Sequence, residues 1–242
     1  MACQRLFKYQ KNEAFLRPKP KLMAHHPHAF LPGASKRLEA LSDGVFAIAC
    51  TLLVLEIHIP HFKPGLSIAE QWHEVSELIP SLIAFGFSFL NILVFWTNHD
   101  AINKVVIRYD TKTTYLNIIF LLFISLIPFT TAFIGQNPHS FVAIATYGLV
   151  LMFASLTAIL MYHHLAFRSK LFLPEVSAIS KKRVYKQIVS SPFIYIAAIT
   201  GGLITTYIPI TIYIIMPIIF MFMPQLDFDT KEEEKLKKEH NE

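Results

Sequence analysis

The chain has 242 residues, 53% of them hydrophobic and only 16% charged, where an average soluble domain carries roughly 25% charged residues. Its formal net charge of +5 does not point to nucleic acid, because the bases cluster in the polar segments between long apolar runs. This balance excludes an ordinary soluble domain and predicts a polytopic membrane protein of the all-α class, with the lipid bilayer as its first partner.

Residues 1–36 read as a polar, basic, proline-containing tail without the apolar core of a cleavable signal peptide. Its "AHHPH" run (His25, His26, His28) has a metal-like composition but no second ligand cluster, so it is read as a loose tail and no metal site is assigned. Cys3 and Cys50 are too few and too badly placed for a disulfide framework. A crossing needs about 20 helical residues, and that ruler predicts spans at Leu41–Ile59, Leu78–Thr97, Tyr115–Ile134 and Phe141–His163. The last apolar stretch, Ile188–Pro224, is too long for one crossing. Pro209 in "TTYIPIT" removes a helix donor and disfavours helical geometry at Ile208, which predicts two short crossings, about Pro192–Tyr207 and Ile210–Met223. Residues 37–224 thus form one six-span domain, and residues 225–242, "KEEEKLKKEH" included, a charged tail.

The connecting segments test that count. Eight Lys/Arg precede the first span, including Lys19, Lys21, Lys36 and Arg37, whereas "HIPHFKPGLSIAEQWHEVSE" has one lysine and three glutamates and is read as a loop. Lys104, Arg108 and Lys112 follow the second span, and "GQNPHS" after the third has no base. Arg168, Lys170, Lys181, Lys182, Arg183 and Lys186 then precede the fifth. Basic and non-basic connections alternate, as the positive-inside rule requires of six spans with both termini cytoplasmic.

On the first span, at 100° per residue, Ile48, Leu52 and Leu55 fall within about 60° of one another, with Leu41, Val45 and Ile59 extending the stripe. Thr51 lies at its edge, and Asp43 lies about 140° away. A carboxylate near lipid is costly. Facing away from the stripe, it is placed to anchor the helix to its neighbours. Glu56 lies about 80° off the Ile48 direction and reads as an interface or headgroup residue. His163 and His164 end the fourth span as interfacial histidines. No paired carboxylates, phosphate-binding loop or nucleophile arrangement is present, so no enzyme activity is expected.

The stretch "RLEALSDGVFAIACTLLVLEI" (Arg37–Ile57) resembles the R-x-x-x-F-S-D signature that opens the first helix in the family of transmembrane protein 175, the endosomal/lysosomal potassium channel. "FWTNHD" (Phe95–Asp100) and "YLNIIFLLFISLIPFTT" (Tyr115–Thr131) are similar to that family's second-helix ending and third helix. Leu41 stands where the signature has phenylalanine, a conservative apolar change. The resemblance implies a homotetrameric, potassium-permeable cation channel without a TVGYG-type filter, its pore lined by the first helix of each subunit. It implies a constriction at Ile48 and a selectivity role for Thr51; Leu52 and Leu55 continue the wall by helix geometry.

Four inward-pointing Ile48 side chains close a pore by dewetting, and four Thr51 hydroxyls offer oxygens to a partly dehydrated ion. Asp43 and Ser42, with Arg37, His99 and Asn117, are expected to form a network that fixes the tilt of the pore helix, since the topology puts them at one cytoplasmic level. The expected permeant species are monovalent cations, K+ above all, with proton permeation admitted and no cofactor. One repeat per chain without a targeting segment favours a bacterial inner (plasma) membrane. The alternative is a secondary carrier coupling cation or proton movement to a small solute, which would want inverted repeats and a helix broken at mid-membrane. The only interruption, Tyr207–Ile210, falls at a loop.

Overall fold

The computed structural model describes residues 32–222 and 226. The His25, His26 and His28 run, Cys3 and the charged tail beyond residue 226 lie outside the described residues. Seven α-helices form among the described residues: α1 (Pro32–Leu55), α2 (Ile68–Ser76), α3 (Ile79–Asn103), α4 (Thr111–Gln136), α5 (Phe141–His163), α6 (Ala178–Gly201) and α7 (Tyr207–Met221). A π-helical turn, His164–Arg168, follows α5, and one antiparallel bridge joins Val106 to Phe172.

Four helical stretches are long and apolar enough to cross a membrane: Lys36–Leu55, Ile68–Asn103, Thr111–Gln136 and Phe141–Arg168. α6 has 24 residues but begins in the basic run Lys181–Lys186, and α7 has only 15. The break between these two helices lies at Gly202–Thr206, upstream of the proline expected to cause it. Pro209 sits in the first turn of α7, where its missing amide hydrogen would have had no intrahelical partner. The paired glycines Gly201 and Gly202 end α6 instead, and Pro192 lies within that helix. The α1–α3 connection, expected to be a loop throughout, contains α2. Its start is a capping box: the Ser67 hydroxyl accepts from the Glu70 amide while the Glu70 carboxylate accepts from the Ser67 amide.

α4 is the central helix, packing against α1, α3 and α5; α5 carries α6, and α7 closes onto α6 and α3. Lipid tails are as apolar as leucine, so these helices are held by close fit and by internal hydrogen bonds. Midway along the bundle the Thr131 hydroxyl donates to Ser88 Oγ at 2.8 Å, and Ser88 donates to the Tyr147 hydroxyl at 3.1 Å. The Asn91 amide donates to the Phe87 carbonyl at 2.9 Å and to the Tyr213 carbonyl at 3.3 Å. Around them lies a core that includes Leu53, Ile92, Ile124, Tyr147, Leu151 and Tyr213, all fully buried.

A second, smaller core sits at the other end of α3 and α5, where the loops carry the bases. Leu38, Val105, Tyr109, Tyr162, Leu165 and Phe172 meet there. Asp110 pins this end: one carboxylate oxygen caps α4 by accepting from the Thr113 amide at 2.8 Å and hydroxyl at 2.6 Å, and the other lies 2.7 Å from His164 Nε2. His164, expected to be an ordinary interfacial residue, is thus buried and paired. Partial burial opposes ionisation of Asp110, but the Thr113 and His164 hydrogen bonds prevail and bring its pKa down to about 2. A depressed folded-state pKa contributes stability above the unfolded value, near 3.9, that disappears as pH falls through the folded one. Thermal midpoints in detergent should therefore decline between about pH 4 and pH 2. In Asp110→Asn that component should vanish, and the neutral-pH midpoint should drop by about 2–4 °C, reflecting about 1 kcal/mol after allowance for solvent screening of a carboxylate about a third exposed.

Candidate functional site

The faces of α1 divide cleanly. Leu38, Ser42, Phe46, Ala49 and Leu53, spaced by three and four residues, are buried against α3 and α4. On the other side Leu41, Ile48, Leu52 and Leu55 are exposed, Ile48 at 59% and Leu55 at 73%, and Thr51 is exposed among them. Gly44 completes that surface one turn before Ile48, and a Cβ there would meet nothing within 4 Å. Val45, at the stripe's edge, is partly buried against the core. α1 packs on neighbours along one side, and a continuous apolar stripe is left uncovered by its own subunit.

Thr51 has a defined orientation. Its hydroxyl donates to the Ile48 carbonyl at 2.9 Å, a common back-bond for threonine in helices. The single hydroxyl hydrogen is thereby used, and both lone pairs of this exposed oxygen remain available as acceptors.

The foot of α1 is held by a chain of hydrogen bonds. Ser42 Oγ donates to the Leu38 carbonyl at 2.9 Å and accepts from Asn117 Nδ2 at 3.0 Å. Asn117 Oδ1 lies 2.7 Å from His99 Nε2, and Asn103 Nδ2 lies 3.2 Å from His99 Nδ1. Tyr109 donates in turn to Asn103 Oδ1. A neutral imidazole carrying its hydrogen on Nε2 satisfies every member, so all donors in the chain point toward α1. The His99 ring is stacked on Phe120 (centroids 5.7 Å apart, planes 11°) and tilted against Phe46, which fixes its orientation.

Ser42, His99 and Asn117 are therefore brought together, with all three buried. Asp43 does not join them: it is exposed, and its Oδ1 accepts from the Trp96 indole at 3.0 Å. Arg37 is also exposed and forms no ion pair with Asp43. Six residues separate the two, which puts them about 120° apart around the helix and about 9 Å apart along it. Trp96, Asn103 and Tyr109 extend the site beyond the residues singled out from sequence. Asn103 had a usable signal in its i+4 spacing from His99 on one helix face; the Asp43–Trp96 pairing had none within either segment.

Just past the end of α1, Glu56 is partly buried, its carbonyl 2.9 Å from His58 Nδ1. Cys50 is a free cysteine, partly buried. Among the described residues no group of three or more His, Cys, Asp or Glu is placed to hold a metal ion.

Comparison with known proteins agrees with this geometry. The family model of the endosomal/lysosomal potassium channel TMEM175 matches residues 37–128, the segment that holds α1, α3 and the hydrogen-bonded foot. A potassium channel from Chamaesiphon minutus is 33% identical over 190 residues, covering 76% of this chain and 92% of the relative. A potassium channel from Streptomyces collinus is 38% identical over 149 residues, 60% of this chain and 70% of the relative. The endosomal/lysosomal proton channel TMEM175 of Gallus gallus is 31% identical over 134 residues, 52% of this chain and 27% of that longer protein. Among solved structures, the crystal structure of a lysosomal potassium-selective channel TMEM175 homologue from Chamaesiphon minutus superposes with a TM-score of 0.69 at 30% identity, covering 78% of this chain and 97% of that one. This multi-pass membrane protein therefore belongs to the TMEM175 family, whose members are ion channels and not enzymes.

Proposed function

We propose that the chain is one subunit of a homotetrameric, potassium-permeable cation channel whose four α1 helices ring a central pore. The observation that carries this reading is the divided α1, locked on one face and uncovered along Gly44, Ile48, Thr51, Leu52 and Leu55 on the other. A single helix cannot enclose a channel, whereas cyclic symmetry turns four such stripes into a wall. Ile48, Leu52 and Leu55 form the constriction and close it by dewetting. The outward oxygen of Thr51 replaces part of an ion's hydration shell, giving moderate rather than filter-grade selectivity. The Ser42–Asn117–His99 chain and the Asp43–Trp96 bond hold the tilt of each pore helix, while Arg37 anchors its cytoplasmic end. All of α1 and α3–α7 then cross, giving six crossings with both termini cytoplasmic, in a bacterial inner membrane.

Proton permeation is the second reading, favoured by the animal relatives that are named proton channels. It uses the same pore. The test is ion flux from purified protein in liposomes under potassium, sodium, caesium and proton gradients, with the oligomeric mass measured in the same detergent. Fast flux preferring potassium or caesium over sodium from a tetramer is expected. Flux confined to protons would transfer the assignment to the second reading. Slow, saturable, solute-dependent transport would replace the channel by a carrier.

A further inference from the structure

α2 has no part in the pore as described, yet its sequence is too well patterned for a passive connector. Ile68, Trp72 and Val75 fall within about 60° of one another around the helix, and Glu70, Glu74 and Glu77 cluster on the opposite side. None of its nine residues is buried; Ile68 is 74% and Trp72 68% exposed. Isolated helices of this length are marginal in water, so the apolar stripe needs a surface to rest on.

Connectivity says which surface is at hand. The apolar stretch Ile68–Asn103 is 36 residues long, about 54 Å as a helix against a hydrocarbon thickness of about 30 Å. α3 alone, at 25 residues, is long enough to cross. α2 is joined to it through only Glu77 and Leu78, so it lies where α3 enters the bilayer. Ile79, the first residue of α3 and four positions after Val75, is itself exposed. Trp72 supplies the ring type that gathers at this depth.

The charge on the other face is unusual. Helices lying on membranes commonly carry Lys and Arg there, but from Pro64 to Asn103 the chain has neither. Glu70 is held below the usual carboxylate range by the Ser67 hydroxyl and amide, so its charge persists into mildly acidic conditions. Three carboxylates beside a leaflet repel anionic headgroups.

We propose that α2 is a bilayer-anchoring helix: its Ile68–Trp72–Val75 stripe dips into the boundary between headgroups and acyl chains, and its acidic face selects electrically neutral headgroups over anionic ones. The anchor joins the end of the pore helix to the start of α3, so lipid at that surface acts on both.

The sequence contains two tryptophans, Trp72 and Trp96, which makes the test direct. Full-length protein and Trp72→Phe are placed in phosphatidylcholine vesicles, with and without bromine atoms on the acyl chains near the headgroup. The difference between the two proteins isolates Trp72 emission. A blue-shifted Trp72 signal that loses most of its intensity on brominated lipid, and loses less when anionic lipid is mixed in, is the expected result. A water-like, unquenched signal would overturn the anchor. So would a blue-shifted signal that bromine leaves untouched and that reddens when the oligomer is dissociated, because a second copy of the chain would then be covering the stripe. Quenching indifferent to anionic lipid would overturn the headgroup preference.

Discussion

Ile48→Asn is expected to raise potassium flux through the reconstituted protein by at least about tenfold, which requires removing only about 1.4 kcal/mol of barrier. Ile48 is uncovered in its own subunit, so the substitution leaves the bundle core intact and acts only on what the stripe faces. In a tetramer it places four amides at the narrowest ring, where they keep water in a constriction that four isoleucines expel. The wetted pore should also discriminate less between potassium and sodium, because ions then cross with more of their hydration. Flux assays on protein of verified oligomeric state check this. Unchanged flux would remove Ile48 from the constriction, and a fall in flux would point to a carrier whose moving parts had been impaired.

Gly148→Ala should have the largest effect on folding among single-methyl changes in the bundle. A Cβ at Gly148 would overlap the Tyr213 hydroxyl and come within 2.9 Å of the Ile199 side chain. The hydroxyl is there because it donates to the Ile144 carbonyl at 3.2 Å, one turn before the glycine. Adding the methyl pushes Tyr213 out of that bond and pries α7 from α5. Overpacking and a lost buried hydrogen bond together should cost about 2–4 kcal/mol, seen as a lower thermal midpoint in detergent. Tyr213→Phe in the alanine background should recover part of the loss by removing the clashing oxygen. Gly44→Ala, whose Cβ would meet open space within the subunit, is the matched control and should leave the midpoint near that of the parent protein.

What the sequence disclosed and what it withheld follow from the range of the forces involved. The α1 stripe was legible because faces of one helix are fixed by 3.6-residue periodicity, which needs no partner. Ser42, His99 and Asn117 could be placed at one level from topology alone. That Ser42 meets Asn117, while Asp43 meets Trp96, depends on the relative rotation of α1, α3 and α4, and no local pattern encodes it. Pro209 suggests a break that the fold places upstream, because a first-turn proline costs a helix little. α2 was passed over inside a polar connection, even though Ser67 and Glu70 carry the spacing of a capping box.

The two hydrophobic cores answer to different physics. The core around Leu53, Ile124 and Tyr147 is surrounded by hydrocarbon, so water has no part in its cohesion. The core around Tyr109, Tyr162 and Phe172 lies among basic loops at the aqueous end, and its cohesion is the ordinary hydrophobic effect. That term weakens on cooling and in urea and carries a large heat capacity. Leu38, on the first helix, belongs to this aqueous core. Cold and chaotropes should therefore loosen the foot of α1 while the lipid-embedded helices hold.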